Sequence, residues 1–140
     1  MKEDRKIIRV RDVMKQDFGR IDGIATIQKA LKIMKSLRTS VLIVNKRHED
    51  DEYSLITAGD IARHVLAKDR APERVNVYEI MTKPVISVHP DMDIRYCSRL
   101  FAKYDLVRAP VIDDREVIGT ISPNALVLGG LYKLTEIDQI

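Results

Sequence analysis

The chain has 140 residues, 45% hydrophobic and 32% charged, the size and composition of a globular protein with enough apolar residues to bury a core. No apolar run approaches the roughly 20 residues that cross a bilayer, and Met1-Lys2-Glu3-Asp4-Arg5-Lys6 lacks the apolar stretch of a signal peptide, so a cytoplasmic protein without a membrane role is expected. One cysteine, Cys97, excludes an internal disulfide, and His48, His64 and His89 are too scattered to hold a metal.

The net charge is +3, with 24 basic residues interleaved among 21 acidic ones. Lys2, Arg5, Lys6, Arg9 and Arg11 form the densest basic run, diluted by Glu3, Asp4 and Asp12. It reads as a solvated terminus, with binding of nucleic acid or another anionic partner through it as the alternative.

Along the chain, the first half is repeated in the second. Asp12-Val13-Met14 is echoed by Glu79-Ile80-Met81, and adding 67 carries Ile27, Ala30, Met34 and Leu37 onto Ile94, Cys97, Phe101 and Tyr104. Their steps of three and four predict an amphipathic helix in each half, beginning near Ala25 and Asp93, with Asp91 and Asp93 placed to cap the second. Each helix is followed by a β-branched run, 41–44 and 110–112, read as a buried strand. Matching Asn45 to Asp113 takes an offset of 68, which predicts a tighter helix-to-strand loop in the first half. A polar turn, 46–52 or 113–116, leads to a second strand, 53–56 or 117–121, and then to a helix, 61–66 or 126–131.

The reading is an α+β fold of two pseudo-symmetric repeats, each β-α-β-β-α. The first covers 8–66 and the second 79–132, joined by a polar linker at 67–78 and followed by a tail at 133–140. Halves of about 60 residues are marginal alone, so they are expected to pack together with a cleft between them.

The stretch Leu55-Ile56-Thr57-Ala58-Gly59-Asp60 carries the most chemistry. A strand that turns into a helix presents unpaired N–H groups suited to an anion. The Thr57 hydroxyl can donate to a phosphate, and an ionised Asp60 accepts from a vicinal diol such as ribose. The same Thr-x-x-Asp spacing also serves as a plain helix cap. Further on, Arg108 precedes a buried strand, where a guanidinium needs either water or an anion. Val85, Ile86, Val107 and Pro110 read on their own as core residues.

The repeated order, the Asp-Val-Met and Glu-Ile-Met openings, Arg108-Ala109-Pro110-Val111-Ile112-Asp113 and Leu55 to Asp60 together resemble a tandem pair of CBS (cystathionine beta-synthase) domains, a Bateman module, over roughly residues 8–132. The resemblance implies a regulatory module with no catalysis of its own. It would hold AMP, ADP, ATP or S-adenosylmethionine in the cleft, with Thr57 toward phosphate and Asp60 on the ribose. Val85, Ile86, Val107, Arg108 and Pro110 would form the other wall. In the second copy Ser122 keeps the hydroxyl, but Ala125 replaces the acid and Asn124 lies one residue early. The facing wall has Phe18 and Gly19 for the apolar pair and Ser40 opposite Arg108, so this site is expected to be degenerate.

No nucleophile-base pair, phosphate-binding glycine loop or metal cluster suggests an enzyme. The resemblance further implies a homodimer, for which the apolar last helix is suited, and an effector protein. A ligand-free scaffold is the alternative.

Overall fold

The computed structural model describes residues 6–83 and 86–135. Ten helices and strands run α1 Val10–Val13, β1 Gly19–Ile21, α2 Ile27–Leu37, β2 Val41–Val44, β3 Ser54–Thr57, α3 Ala58–Ile61, α4 Ile94–Tyr104, β4 Ala109–Asp113, β5 Glu116–Ile121 and α5 Tyr132–Thr135. Wider π-helical segments, Ala62–Leu66 and Ala125–Leu131, continue α3 and precede α5. The α and β elements fall into two compact units. One is Phe18–Val85; the other joins Met1–Asp17 to Ile86–Ile140.

In the Phe18–Val85 unit, β2 is central, parallel to β1 and antiparallel to β3. It is buried along its whole length, as its unbroken apolar run requires. Helix α2 lays Ile27, Ala30 and Met34 on this sheet. Thr26 caps it, accepting the Lys29 N–H at 3.2 Å, and Arg38 ends it in the left-handed conformation with φ 53°. A Cβ at Gly19 would stand 2.6 Å from Leu37 Cδ1 and 2.7 Å from Leu42 Cδ2, so a side chain there would have to push both leucine ends aside.

Residues 67–78, expected as a polar linker, contribute to the core of the Phe18–Val85 unit. Val75 and Val77 are 1% and 0% exposed, within the same core as Ile27 and Ile56. Their backbones are tied in as well: the Ile27 N–H donates to Val75 O and the Val77 N–H to Ala25 O, both at 2.8 Å. Two valines spaced by one residue place an inward-facing pair within a polar stretch, and burying them fixes the segment.

The second unit contains α4, capped by Asp93 through the Arg95 N–H at 2.8 Å, and the antiparallel pair β4 and β5. Its core gathers Val10, Val88, Ile94, Cys97, Phe101, Val111 and Ile121. The opening segment, expected with the first repeat, folds here instead. Lys15 exchanges backbone hydrogen bonds with Thr120 at 2.8 and 2.9 Å, and the Val10 N–H reaches Met92 O at 2.8 Å. Correspondingly, Thr82, after the second opening, bridges Leu55 of β3 within the Phe18–Val85 unit. Burial of Ile8 and Val10 against Val88 and Ile94 drives this exchange.

The parallel partner of β4 shrinks to one bridge, Val88 to Val111, where β1 pairs three residues with β2. Pro110, at the position of Ile43, has no N–H to donate, so the ladder cannot extend past Val88.

The offset of 67 persists through the central strands. Ile21 faces Val44 as Val88 faces Val111, Arg38 and Asp105 end their helices with the same φ of 53°, and Thr39 N–H to Met34 O is matched by Leu106 N–H to Phe101 O. The expected tighter loop is therefore absent. The length difference is taken up after the strands, in the hairpins and in the register shift between Val111 and Ile112.

Candidate functional site

Thr57 closes β3 and caps α3. Its Oγ1 accepts the Asp60 N–H at 3.1 Å, and its own N–H donates to Asp60 Oδ2 at 3.0 Å. This reciprocal capping box satisfies two backbone donors that the helix start leaves unpaired. The third arm was not anticipated: Arg63 Nη2 donates to Asp60 Oδ1 at 2.9 Å. Asp60 is 4% exposed, while the Arg63 side chain is 65% exposed. Both oxygens of the acid are therefore engaged within its own helix. The spacing of three residues from Asp60 on one helical face is the signal that could have revealed Arg63.

The second copy retains only the cap. Ser122 Oγ accepts the Ala125 N–H at 3.3 Å, Ala125 offers no acceptor, and Asn124 is exposed with no side-chain hydrogen bond among the described residues. Pro123 precedes a run in which Gly130 packs on Ile94; a Cβ there would lie 2.4 Å from Ile94 Cδ1.

Arg108 is half-buried immediately before β4. Among the described residues it has neither an ion-pair nor a hydrogen-bond partner, and burial pushes its guanidinium below the usual arginine value because desolvation disfavours the charge. It remains a cation with unfilled donors. Beside it Val107 is 76% exposed, and Ile86 is 36% exposed. The ring of Pro110 is fully buried, and its carbonyl accepts the Val88 N–H at 3.0 Å. Val85 lies outside the described residues.

Of the residues expected around the degenerate site, Phe18 stacks under the Arg20 guanidinium at 5.3 Å from its ring centroid. Gly19 is buried in β1. Ser40 is exposed, and its carbonyl accepts the Ala58 N–H at 2.8 Å. With the offset fixed at 67, Ser40 corresponds to Val107, and the counterpart of Arg108 is Val41, buried at 5%. The first repeat thus has no cation at that position, for a different residue than expected.

Elsewhere, an apolar hollow of about 340 Å³ is lined by Phe101, Leu106, Leu126 and Val127, among others. Later in the same helical segment as Val127, Leu128 and Leu131 are 58% and 46% exposed. Among the described residues no helix is long and apolar enough to cross a membrane, and no group of three or more His, Cys, Asp or Glu is placed to hold a metal.

Comparison with known proteins gives these features a family. The CBS domain model matches residues 77–128. A hexameric CBS-CP12 protein from bloom-forming cyanobacteria is 36% identical, with 91% of this chain and 73% of that one covered, at a TM-score of 0.86. The CBS domain pair of protein MJ0100, solved with 5′-methylthioadenosine and S-adenosyl-L-methionine, is 27% identical over 90% of this chain and 99% of that one, at 0.76. The CBS domain-containing protein YhcV of Bacillus subtilis is 26% identical over 113 residues, 81% of this chain and 79% of its own length. The chain belongs to the CBS domain family and has the fold of a tandem CBS pair.

Proposed function

We propose that the chain is a regulatory module without catalysis of its own that binds one adenosyl compound per chain, AMP, ADP, ATP or S-adenosylmethionine. Asp60 receives the ribose, Thr57 lies toward the phosphate side, and Arg108 receives an anionic substituent. The observation that carries this reading is the fold shared, over 90% of the chain, with a CBS pair that holds S-adenosylmethionine and methylthioadenosine. Two features of the residues support the choice of site. Asp60 is an acid where the second copy has Ala125, and Arg108 is a half-buried cation where the first copy has Val41. The partnership of Asp60 with Arg108 on one ligand comes from the family pattern.

Thermal unfolding with each compound tests the reading. A ligand bound only by the native state at a hundred times its Kd adds about 2.7 kcal/mol, an increase in Tm on the order of 5–10 °C. Asp60→Ala is expected to abolish the shift with every compound. Arg108→Ala is expected to reduce it for AMP, ADP and ATP and to spare methylthioadenosine, which has no phosphate. Absence of any shift in the wild type would favour a ligand-free scaffold, to which the internally satisfied capping box is also suited.

The reading includes a cytoplasmic homodimer that acts on an effector protein. The exposed Leu128 and Leu131 support the self-association.

A further inference from the structure

We infer that Arg63 sets the affinity of this site by competing with the ligand for the Asp60 carboxylate. The inference rests on the reading of Asp60 as ribose acceptor. A ribose diol needs a carboxylate oxygen. Asp60 Oδ2 is committed to the Thr57 N–H at 3.0 Å and Oδ1 to Arg63 Nη2 at 2.9 Å, and the residue is only 4% exposed. The Thr57 contact is part of the capping box and releasing it would fray the helix start. The Arg63 contact is different in kind: it comes from a side chain that is 65% exposed and free to swing into water.

The local backbone is arranged for the guanidinium to lie there. A Cβ on Gly59 would stand 3.2 Å from Arg63 Nη1 and 3.6 Å from Thr57 Oγ1. The glycine thus leaves room for Arg63 to cover the first turn of α3, across the two side chains assigned to the ligand. Binding of a diol then exchanges one partner of Oδ1 for another. The unliganded chain holds its own acceptor closed through an ion pair weak enough to be displaced.

Adenosine is the appropriate probe, because it has no charge that could respond directly to Arg63 or Arg108. Calorimetric titration of the wild type, Arg63→Ala and Arg63→Lys measures the competition. Arg63→Ala is expected to bind adenosine about two- to fivefold tighter, the range an exposed ion pair supplies. Arg63→Lys, which keeps the charge, should return affinity toward the wild-type value. Raising salt from about 0.05 to 0.5 M screens the pair, so wild-type affinity for adenosine should increase while Arg63→Ala stays level. A merely structural role for Arg63 would not move that salt response.

Binding by Arg63→Ala alone, with none by the wild type, would also support the competition. Wild-type binding with Arg63→Ala unchanged or weaker, or with a flat salt response, would overturn it and leave the function reading intact. Absence of binding by all three chains would overturn both.

Discussion

Asp60 has two oxygens and three claims on them: the Thr57 N–H, Arg63 and the diol it is proposed to receive. The Thr-x-x-Asp spacing announced the first claim and, through the family pattern, the last, but a capping box and a ribose acceptor use the same atoms and the sequence cannot rank them. Arg108 was legible because a guanidinium ahead of an apolar strand stands out, and its half-burial without a partner among the described residues keeps it distinct. Pro110 reads on its own as core and its ring is fully buried; only the family pattern assigns it to a ligand wall. Cys97 is fully buried, and desolvation pushes its thiol up to about 11, which disfavours the reactive thiolate. Ser54 is an oddity at this scale, a buried hydroxyl with no hydrogen-bond partner among the described residues, in a strand whose neighbours are apolar.

At the scale of elements, α2 and α4 were readable to within a residue or two because their apolar spacing repeats over eleven residues. Short β-branched runs gave the central strands, but not their register. Matching Asn45 to Asp113 at the strand ends slipped the alignment by one residue, whereas backbone pairing fixes it at 67. The polar hairpin loop of the first repeat is more ordered than its composition suggests. Asp51, half-buried, accepts from Lys83 Nζ and from the Arg47 N–H at 3.0 Å. The Lys83 ammonium, and after it that N–H, hold its carboxyl well below the ordinary carboxylate range. A folded-state value below the unfolded one stabilises fully above the unfolded value, about 4, and the contribution is lost as pH falls through the folded value. Urea midpoints measured between about pH 2 and 6 should show Asp51→Asn less stable than the wild type at pH 6, with a shallower acid slope below about pH 4. Some slope is expected to remain, since the Asn76 N–H holds Glu79 low and Arg11 holds Asp91 low. Parallel slopes would show that Asp51 does not carry the acid sensitivity.

For the whole molecule, the duplicated β-α-β-β-α order led to the right family, while the partition of the chain into its two units could not be read from the repeat. Residues 12–15 pack with the second half and 79–82 with the first, because backbone pairing to β5 and β3 decides the units, not sequence proximity. The valines of the supposed linker were hidden by polar neighbours in the same way. Val127, Leu128 and Leu131 are exposed along one helical run, an apolar stretch that the proposed dimer would cover. Light scattering should therefore give twice the 16.0 kDa chain mass; a monomer mass would refute the dimer. The asymmetry between the copies is the central claim, since one keeps both acid and hydroxyl and the other only a cap. Isothermal titration with AMP tests it most directly. One site per chain in the wild type, lost in Asp60→Ala, is the predicted result; two equivalent sites per chain, or unchanged binding by Asp60→Ala, would contradict it.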